Sequence, residues 1–195
     1  RPFLELLEND NGLVGREHRQ LNQDATARTE IAQGQKLLEE AIRDYPNTAA
    51  RAQAEYLLAD LSLEFGNDAA NADAKKKHYM DAIARYSDIV ASYGDSEYAP
   101  KAQYHKALAF EKMEMLDEAC EEYVKLSYRY PDNPLVAETI ARLGQYFLNK
   151  GRGIRAAADK ETDPVQREKT RLQAVDMFKT AAQVFSRLSV RFPNH

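Results

Sequence analysis

The sequence predicts an all-α fold built from repeated helical hairpins, and three observations lead to this prediction. The 195 residues are 44% hydrophobic and 30% charged, with 8 Gly, 7 Pro and no Trp, which is typical of a folded helical protein rather than a disordered chain. An aromatic residue followed by a helix breaker occurs four times, with the breakers at Pro46, Gly94, Pro131 and Pro193. Small and large apolar residues recur at fixed distances before these breakers, which indicates a repeat.

Two positions on the helix before each breaker define the repeat. Twelve residues before the breaker the residue is small, and the sequence has Gly34, Ala82, Ala119 and Ala181 there. Eight residues before it the side chain is large and apolar, and the sequence has Leu38, Tyr86, Tyr123 and Phe185. A small residue lets a partner helix approach, and the large residue one turn later fills the space beside it. The breakers are 48, 37 and 62 residues apart, so we expect a unit of 37 residues with an insertion in the first and third full repeats.

The helices follow from this pattern in chain order. The first is predicted at about 14–44, because residues 9–12 have the composition of a turn and Pro46 ends the helical pattern. The remaining helices are predicted at about 48–65, 70–93, 97–115, 116–130, 134–150 and 164–191.

Glycine, proline and one aspartate predict where several helices begin and end. Gly66 is the candidate C-cap of the second helix, and Gly151 with Gly153 is expected to end the helix that begins at Pro134. Asp163 followed by Pro164 predicts an N-cap with proline at the first helical position.

The pattern also predicts the domain organisation. We expect an N-terminal segment at 1–29 and a repeat region at 30–193, with a partial repeat and three full repeats at 30–46, 47–94, 95–131 and 132–193. Both insertions fall between the two helices of a repeat, where we expect them to lengthen the second helix at its start. Arg1 is not a natural start and nothing near His195 has the pattern of a terminal cap, so we expect a piece of a longer protein.

Residues 98–135 carry a specific resemblance. Small, aromatic and proline residues fall at the spacing of a known repeat signature, namely Ala102, Ala107, Phe110, Ala119, Tyr123 and Pro131. The chain therefore resembles the tetratricopeptide repeat (TPR) family, with Lys106 where that family usually has Leu and Glu114 where it often has Gly. The resemblance implies a right-handed α-solenoid of helical hairpins and a role in binding other proteins. The two insertions add the expectation of two extended second helices.

The end of the second full repeat suggests a narrower group. The segment Tyr130-Pro131-Asp132-Asn133-Pro134 is similar to repeat endings in bacterial cell-envelope TPR proteins, such as the BamD-like lipoproteins and the CpoB (YbgF) proteins. This resemblance implies a periplasmic or outer-membrane-associated location. The alternative is a cytoplasmic location.

Composition and motifs exclude several function classes. Lys and Arg total 27 against 31 Asp and Glu, a net charge of −4, which argues against non-specific nucleic-acid binding. No run of 18 apolar residues is present to span a membrane. The single cysteine, Cys120, excludes an internal disulfide, and its carboxylate neighbours favour an inert thiol. The four histidines show no ligand spacing, so we predict no catalytic residue, no metal site and no cofactor.

The TPR resemblance implies a partner-binding groove on the first helices of the repeats. Carrying the family's groove positions onto this sequence gives Gln53, Tyr56, Asp60, Leu63, Glu64, Lys101, Tyr104, Leu108, Glu111, Lys112, Glu138, Gln145, Leu148 and Asn149. Aromatic, aliphatic and charged groups are mixed on this wall, as on peptide-binding surfaces. Some TPR relatives clamp the terminal carboxylate of a chaperone with cations and amides. Of the residues that this sequence has at the clamp positions, only Arg142 fits, which disfavours a co-chaperone role.

We therefore predict a non-catalytic scaffold that binds a protein or peptide partner through this groove, in a bacterial cell-envelope complex. The alternative is an interaction or regulatory domain of a cytoplasmic multidomain protein. In either setting another part of the parent chain could fill the groove. Oligomeric state and partner identity do not follow from the sequence.

Overall fold

A computed structural model describes residues 25–46 and 48–193, and within these ranges the chain forms seven helices and no strand. The helices are α1 (Ala25–Asp44), α2 (Ala49–Asp68), α3 (Ala72–Ser92), α4 (Tyr98–Lys112), α5 (Leu116–Arg129), α6 (Leu135–Lys160) and α7 (Pro164–Arg191). The prediction of an all-α helical repeat is confirmed.

The chain divides into two compact units, Arg1–Ala54 and Glu55–His195. The first unit contains α1, on which Ala41 is buried, and the start of α2. The predicted turn at 9–12 and the predicted helix start near Val14 lie outside the described residues. The second unit contains the rest of α2 and helices α3 to α7.

Within the second unit, each helical hairpin places small residues of one helix against aromatic residues of the other. Ala59 of α2 and Tyr86 of α3 share one buried cluster, and Ala107 of α4 and Tyr123 of α5 share another. In the third hairpin, a Cβ built on Gly144 would lie 2.6 Å from the ring of Phe185. The small and aromatic positions predicted from the repeat are therefore packing positions.

The second helices of the hairpins differ in length in steps of seven residues, and the first helices in steps of five and six. The second helices α5, α3 and α7 have 14, 21 and 28 residues, and the first helices α4, α2 and α6 have 15, 20 and 26. Seven residues are nearly two turns, so a seven-residue step returns a side chain to almost the same helix face. The predicted extension of two second helices is confirmed, and the first helices of the same repeats are extended as well.

Two predicted helix ends are wrong, and close packing explains both. α6 does not end at Gly151 and Gly153 but continues to Lys160, and α2 continues past Gly66 to Asp68. A Cβ on Gly151 would lie 2.8 Å from the ring of Phe178, and a Cβ on Gly66 would collide with the ring of Tyr79. These glycines allow helices to approach each other rather than ending them.

Two local features explain how the hairpins begin and turn. The Asp163 side chain accepts a hydrogen bond of 2.8 Å from the Val165 backbone N–H, so the predicted N-cap of α7 is confirmed. Glu114, between α4 and α5, has a φ of 60°, the left-handed region that glycine adopts at least cost. The resemblance placed glycine at this position, and the backbone geometry gives the reason.

Candidate protein-binding groove on the first helices

The sequence-predicted groove residues lie on α2, α4 and α6, and they differ in exposure. Four are exposed, namely Lys101, Lys112, Gln145 and Asn149. Eight are half-buried, namely Gln53, Asp60, Leu63, Glu64, Leu108, Glu111, Glu138 and Leu148. The rings of Tyr56 and Tyr104 are buried, with 9% and 8% of each residue exposed. Gln53 lies in the first unit and the others lie in the second.

Asp60 on α2 and His105 on α4 form the polar centre of the groove residues. The Asp60 carboxylate accepts a 2.6 Å hydrogen bond from His105 Nδ1 and a 2.5 Å hydrogen bond from the Tyr86 hydroxyl. Donation from Nδ1 fixes the tautomer of a neutral ring and leaves Nε2 as its acceptor. Both the Asp60 and the His105 side chains remain about 30% exposed, at 30% and 29%. The pair connects the first helices of two successive repeats and presents an oriented imidazole.

A second polar network connects α4 with α6. Arg142 Nη1 donates a 2.8 Å hydrogen bond to Glu111 Oε2, and Arg142 Nε lies 3.0 Å from both Glu138 Oε1 and the Tyr104 hydroxyl. The Arg142 guanidinium also lies over the Tyr104 ring, 5.7 Å from its centroid. Burial raises the pKa of Tyr104 despite the opposing effect of Arg142. Predicted groove residues thus meet across the interface between repeats.

The contacts of Arg142 show whether the groove could clamp the terminal carboxylate of a chaperone. Arg142 is the one residue that matches the clamp of the chaperone-binding relatives, and it is occupied by Glu111 and Glu138. A guanidinium that already faces two carboxylates has little attraction left for a third. The geometry agrees with the prediction from sequence that this groove is not a terminal-carboxylate clamp.

Apolar contact surface on the groove is supplied by leucines rather than by the two tyrosines. Leu63 and Leu108 are half-buried and pack with one face against the two buried clusters, and Leu148 is half-buried on α6. Near Leu148, the Gln145 amide donates a 2.8 Å hydrogen bond to the Asn149 side chain. A partial apolar surface beside polar groups is the usual composition of a protein-binding patch.

A buried carboxylate inside the second hairpin was missed by sequence reasoning. Two adjacent glutamates on a helix are usually both solvated, but here Glu121 is exposed and Glu122 is only 5% exposed. Its carboxylate accepts hydrogen bonds from Gln103 and Lys125 and lies 3.4 Å from the ammonium group of Lys106. The lysine that departs from the family's usual leucine is therefore the partner of a buried charge.

The remaining candidate reactive side chains are Cys120 and the histidines other than His105. Burial raises the pKa of the half-buried Cys120 thiol against the lowering effect of Lys150, and Asp117 and Glu121 add to the rise, which agrees with the unactivated thiol predicted from the sequence. No three His, Cys, Asp or Glu residues within 25–46 and 48–193 are placed to hold a metal ion. His78 packs beside Phe65, while His18 and His195 lie outside the described residues. None of the described helices combines the length and hydrophobicity needed to cross a membrane.

Comparison with known proteins gives one match. Residues 101–133 match the family model described as tetratricopeptide repeat, and this segment contains α4 from Lys101 onward, the turn after it, α5 and residues 130–133. No curated protein and no solved structure matches significantly. TPR repeats generally mediate protein–protein interactions, and folds of this kind are typically non-catalytic. The match covers 33 of the 195 residues, so the comparison identifies one TPR-type hairpin, α4 with α5, within an all-helical fold.

Proposed function

We propose that this chain is a non-catalytic scaffold that binds a segment of a partner protein through the groove surface of α4 and α6 and the adjoining part of α2 within the second unit. The observation that carries the proposal is that predicted groove residues take part in polar networks that join successive first helices. Asp60 meets His105, and Glu111 and Glu138 meet at Arg142. Such networks hold neighbouring helices in a fixed relation and so provide a preorganised surface.

The chemistry of this surface favours a peptide that is partly apolar and carries hydrogen-bonding groups. Leu63, Leu108 and Leu148 provide exposed apolar area on three helices, while His105 Nε2 and the Gln145–Asn149 amides provide polar contacts. Exposed lysines on α4 and the half-buried carboxylate of Glu64 on α2 add both charge signs, so charge alone does not select the partner. Apolar contacts at the leucines would supply most of the affinity.

Site-specific photo-cross-linking tests the groove directly. A photoreactive benzoylphenylalanine is placed at Leu108 in the full-length protein, and at Glu118 on the exposed surface of α5 as the matched control. We expect a discrete adduct from position 108 that position 118 does not give. The cross-linked protein is then purified and its affinity measured with wild type, Leu108→Asp and Glu118→Lys. A partner whose affinity is unchanged by Leu108→Asp contradicts the groove proposal.

We further propose that the scaffold works in a bacterial cell-envelope complex. The support for this setting is the resemblance of the Tyr130–Pro134 ending to envelope TPR proteins. Fractionation of cells that contain the full-length protein tests it, with recovery in periplasm or membranes as the expected result. Recovery in the cytosol contradicts the envelope setting and favours the alternative of a cytoplasmic multidomain protein, while the groove proposal stands or falls separately by the cross-linking result.

A further inference from the structure

A second surface of the second unit, separate from the groove, is an apolar cleft between α5, α6 and α7. Its volume is about 660 Å³, within the range of about 300–1,000 Å³ that ligand pockets show. Ile140 and Phe147 of α6 line the cleft, with Tyr128 of α5 on one wall and Val190 of α7 on the other. At 100° per residue, Ile140 and Phe147 lie roughly 140–160° around α6 from the groove residue Gln145. The cleft and the groove therefore use different faces of α6.

The cleft lies where two helices flank a third. α5 and α7 each pack against α6, and residues of all three helices line the cleft. Ile140 and Phe147 of α6 remain half-buried between them. Tyr128 is 83% exposed and Val190 is 81% exposed, unusually high values for large apolar side chains on two helices that border one cleft. Contiguous exposed apolar surface of this kind marks interaction sites.

The charge of the cleft is opposite to that of the chain. Arg187 and Arg191 line it, and among the described residues no carboxylate does, although the whole chain has a net charge of −4. Arg191 donates a 2.5 Å hydrogen bond to the Pro131 carbonyl, and its guanidinium lies 3.9 Å from Asp132. Arg187 has no hydrogen-bond or ion-pair partner within the described ranges. An apolar cleft whose rim carries an unpaired guanidinium is complementary to an apolar segment that carries a carboxylate.

We propose that this cleft is a second docking site, which takes a short amphipathic helix of a partner protein with an Asp or Glu opposite Arg187. The cleft extends from Val184 to Arg191 along α7, about 10 Å at 1.5 Å per residue, which matches two turns of a bound helix. Two or three apolar side chains of that helix, spaced three or four residues apart, fill the cleft over Phe147 and between Tyr128 and Val190. The site goes beyond the groove proposal because it needs none of the groove residues, and one scaffold can then hold two partners at once.

Selection from a phage library of randomised 16-residue helical peptides tests the site. The selected peptides are synthesised with a fluorescein label, and their affinity is measured by fluorescence anisotropy. The proteins compared are wild type, Val190→Asp, Arg187→Glu and the groove control Leu108→Asp. We expect peptides that carry spaced apolar residues and an acidic residue, with a loss of at least about tenfold in affinity for Val190→Asp and Arg187→Glu. Leu108→Asp should change the affinity less than about twofold. Because Val190 and Arg187 are exposed, both variants should keep the wild-type circular dichroism spectrum.

A charge swap makes the result specific. Replacing the acidic residue of the peptide with Lys should abolish binding to wild type and restore binding to Arg187→Glu. Three results overturn the proposal: no peptide tighter than about 100 μM, peptides that bind Val190→Asp as well as wild type, or peptides with no acidic preference at Arg187. Sedimentation of the chain alone tests whether a second copy of the chain occupies the cleft. A dimer that Val190→Asp dissociates would show that a second copy fills the cleft, and this too overturns the proposal.

Discussion

The packing of α6 against α7 can be tested by adding single methyl groups at glycines of the same helix. Gly144 is buried, and a Cβ there would lie 2.6 Å from Cε1 and Cζ of Phe185. Gly153 is exposed, and a Cβ there would have no atom within 4 Å. Alanine at the two positions therefore has the same effect on the helix backbone and a different effect on packing.

The expected magnitudes follow from these two terms. Alanine is about 1 kcal/mol more favourable than glycine inside a helix, so Gly153→Ala should raise the free energy of unfolding by about that amount. At Gly144 the same gain is opposed by an overpacking cost of about 1–3 kcal/mol, because the Phe185 ring must move by about 1 Å to restore normal contact. Gly144→Ala should therefore be neutral or destabilising by up to about 2 kcal/mol. The two variants should differ by about 1–3 kcal/mol.

Urea unfolding followed by circular dichroism at 222 nm measures this difference. For a chain of this size, 2 kcal/mol shifts the urea midpoint by about 1 M if the slope is about 2 kcal/mol per M. The double variant Gly144→Ala/Phe185→Leu should recover part of the loss, since the smaller side chain makes room for the methyl group. If Gly144→Ala stabilises the protein as much as Gly153→Ala does, the close-approach explanation is refuted.

Three other predictions concern single side chains. Glu114→Gly should raise the free energy of unfolding by about 1 kcal/mol because Glu114 has a left-handed φ. Glu118→Gly in the adjoining helix should lower it by a similar amount, and the urea midpoints of the two variants measure the difference. Lys106→Leu should lower stability by about 1 kcal/mol, and adding Glu122→Leu should restore part of it, because the second change removes the buried charge that lost a partner but leaves the buried Gln103 amide without its acceptor. Burial, helped by Asp60, raises the pKa of Tyr86. The contribution of neutral Tyr86 to the free energy of unfolding is therefore complete below the ordinary tyrosine pKa of about 10 and is lost as pH rises above it. Urea midpoints from pH 8 to 11.5 should therefore fall less steeply in Tyr86→Phe, and an unchanged slope would contradict this.

The fold could be predicted from sequence because its packing positions are periodic and chemically distinctive. A small residue and an aromatic residue at fixed distances from a turn identify the helix faces that meet, and Ala107 with Tyr123 is buried where the repeat requires it. The same reasoning failed at Gly151, because glycine serves both to end a helix and to let a second helix approach it. Which role applies depends on whether an aromatic ring faces the glycine, and Phe178 is 27 residues away in the chain.

The candidate sites were less predictable because they depend on contacts between helices rather than on periodicity. The groove positions come from the family resemblance, but the pairing of Asp60 with His105 joins residues 45 positions apart. Glu122 has the same sequence surroundings as a solvated glutamate, and only the packing of α5 on α4 buries it. The apolar cleft depends on how far α7 stands from α5, a distance that no local pattern encodes.

The hairpin lengths show which sequence changes this architecture tolerates. The small and aromatic positions lie at fixed distances from the breakers on either side of each hairpin, whereas both insertions fall at the turn between its two helices. Residues added at this turn therefore lengthen the hairpin while the small and aromatic residues keep facing each other. The second helices accordingly measure 14, 21 and 28 residues and the first helices 15, 20 and 26, while the packing at Tyr86, Tyr123 and Phe185 is kept. The side chains of Tyr128 and Val190 are largely exposed and contribute little to this packing. Their identity is left open to be determined by a partner.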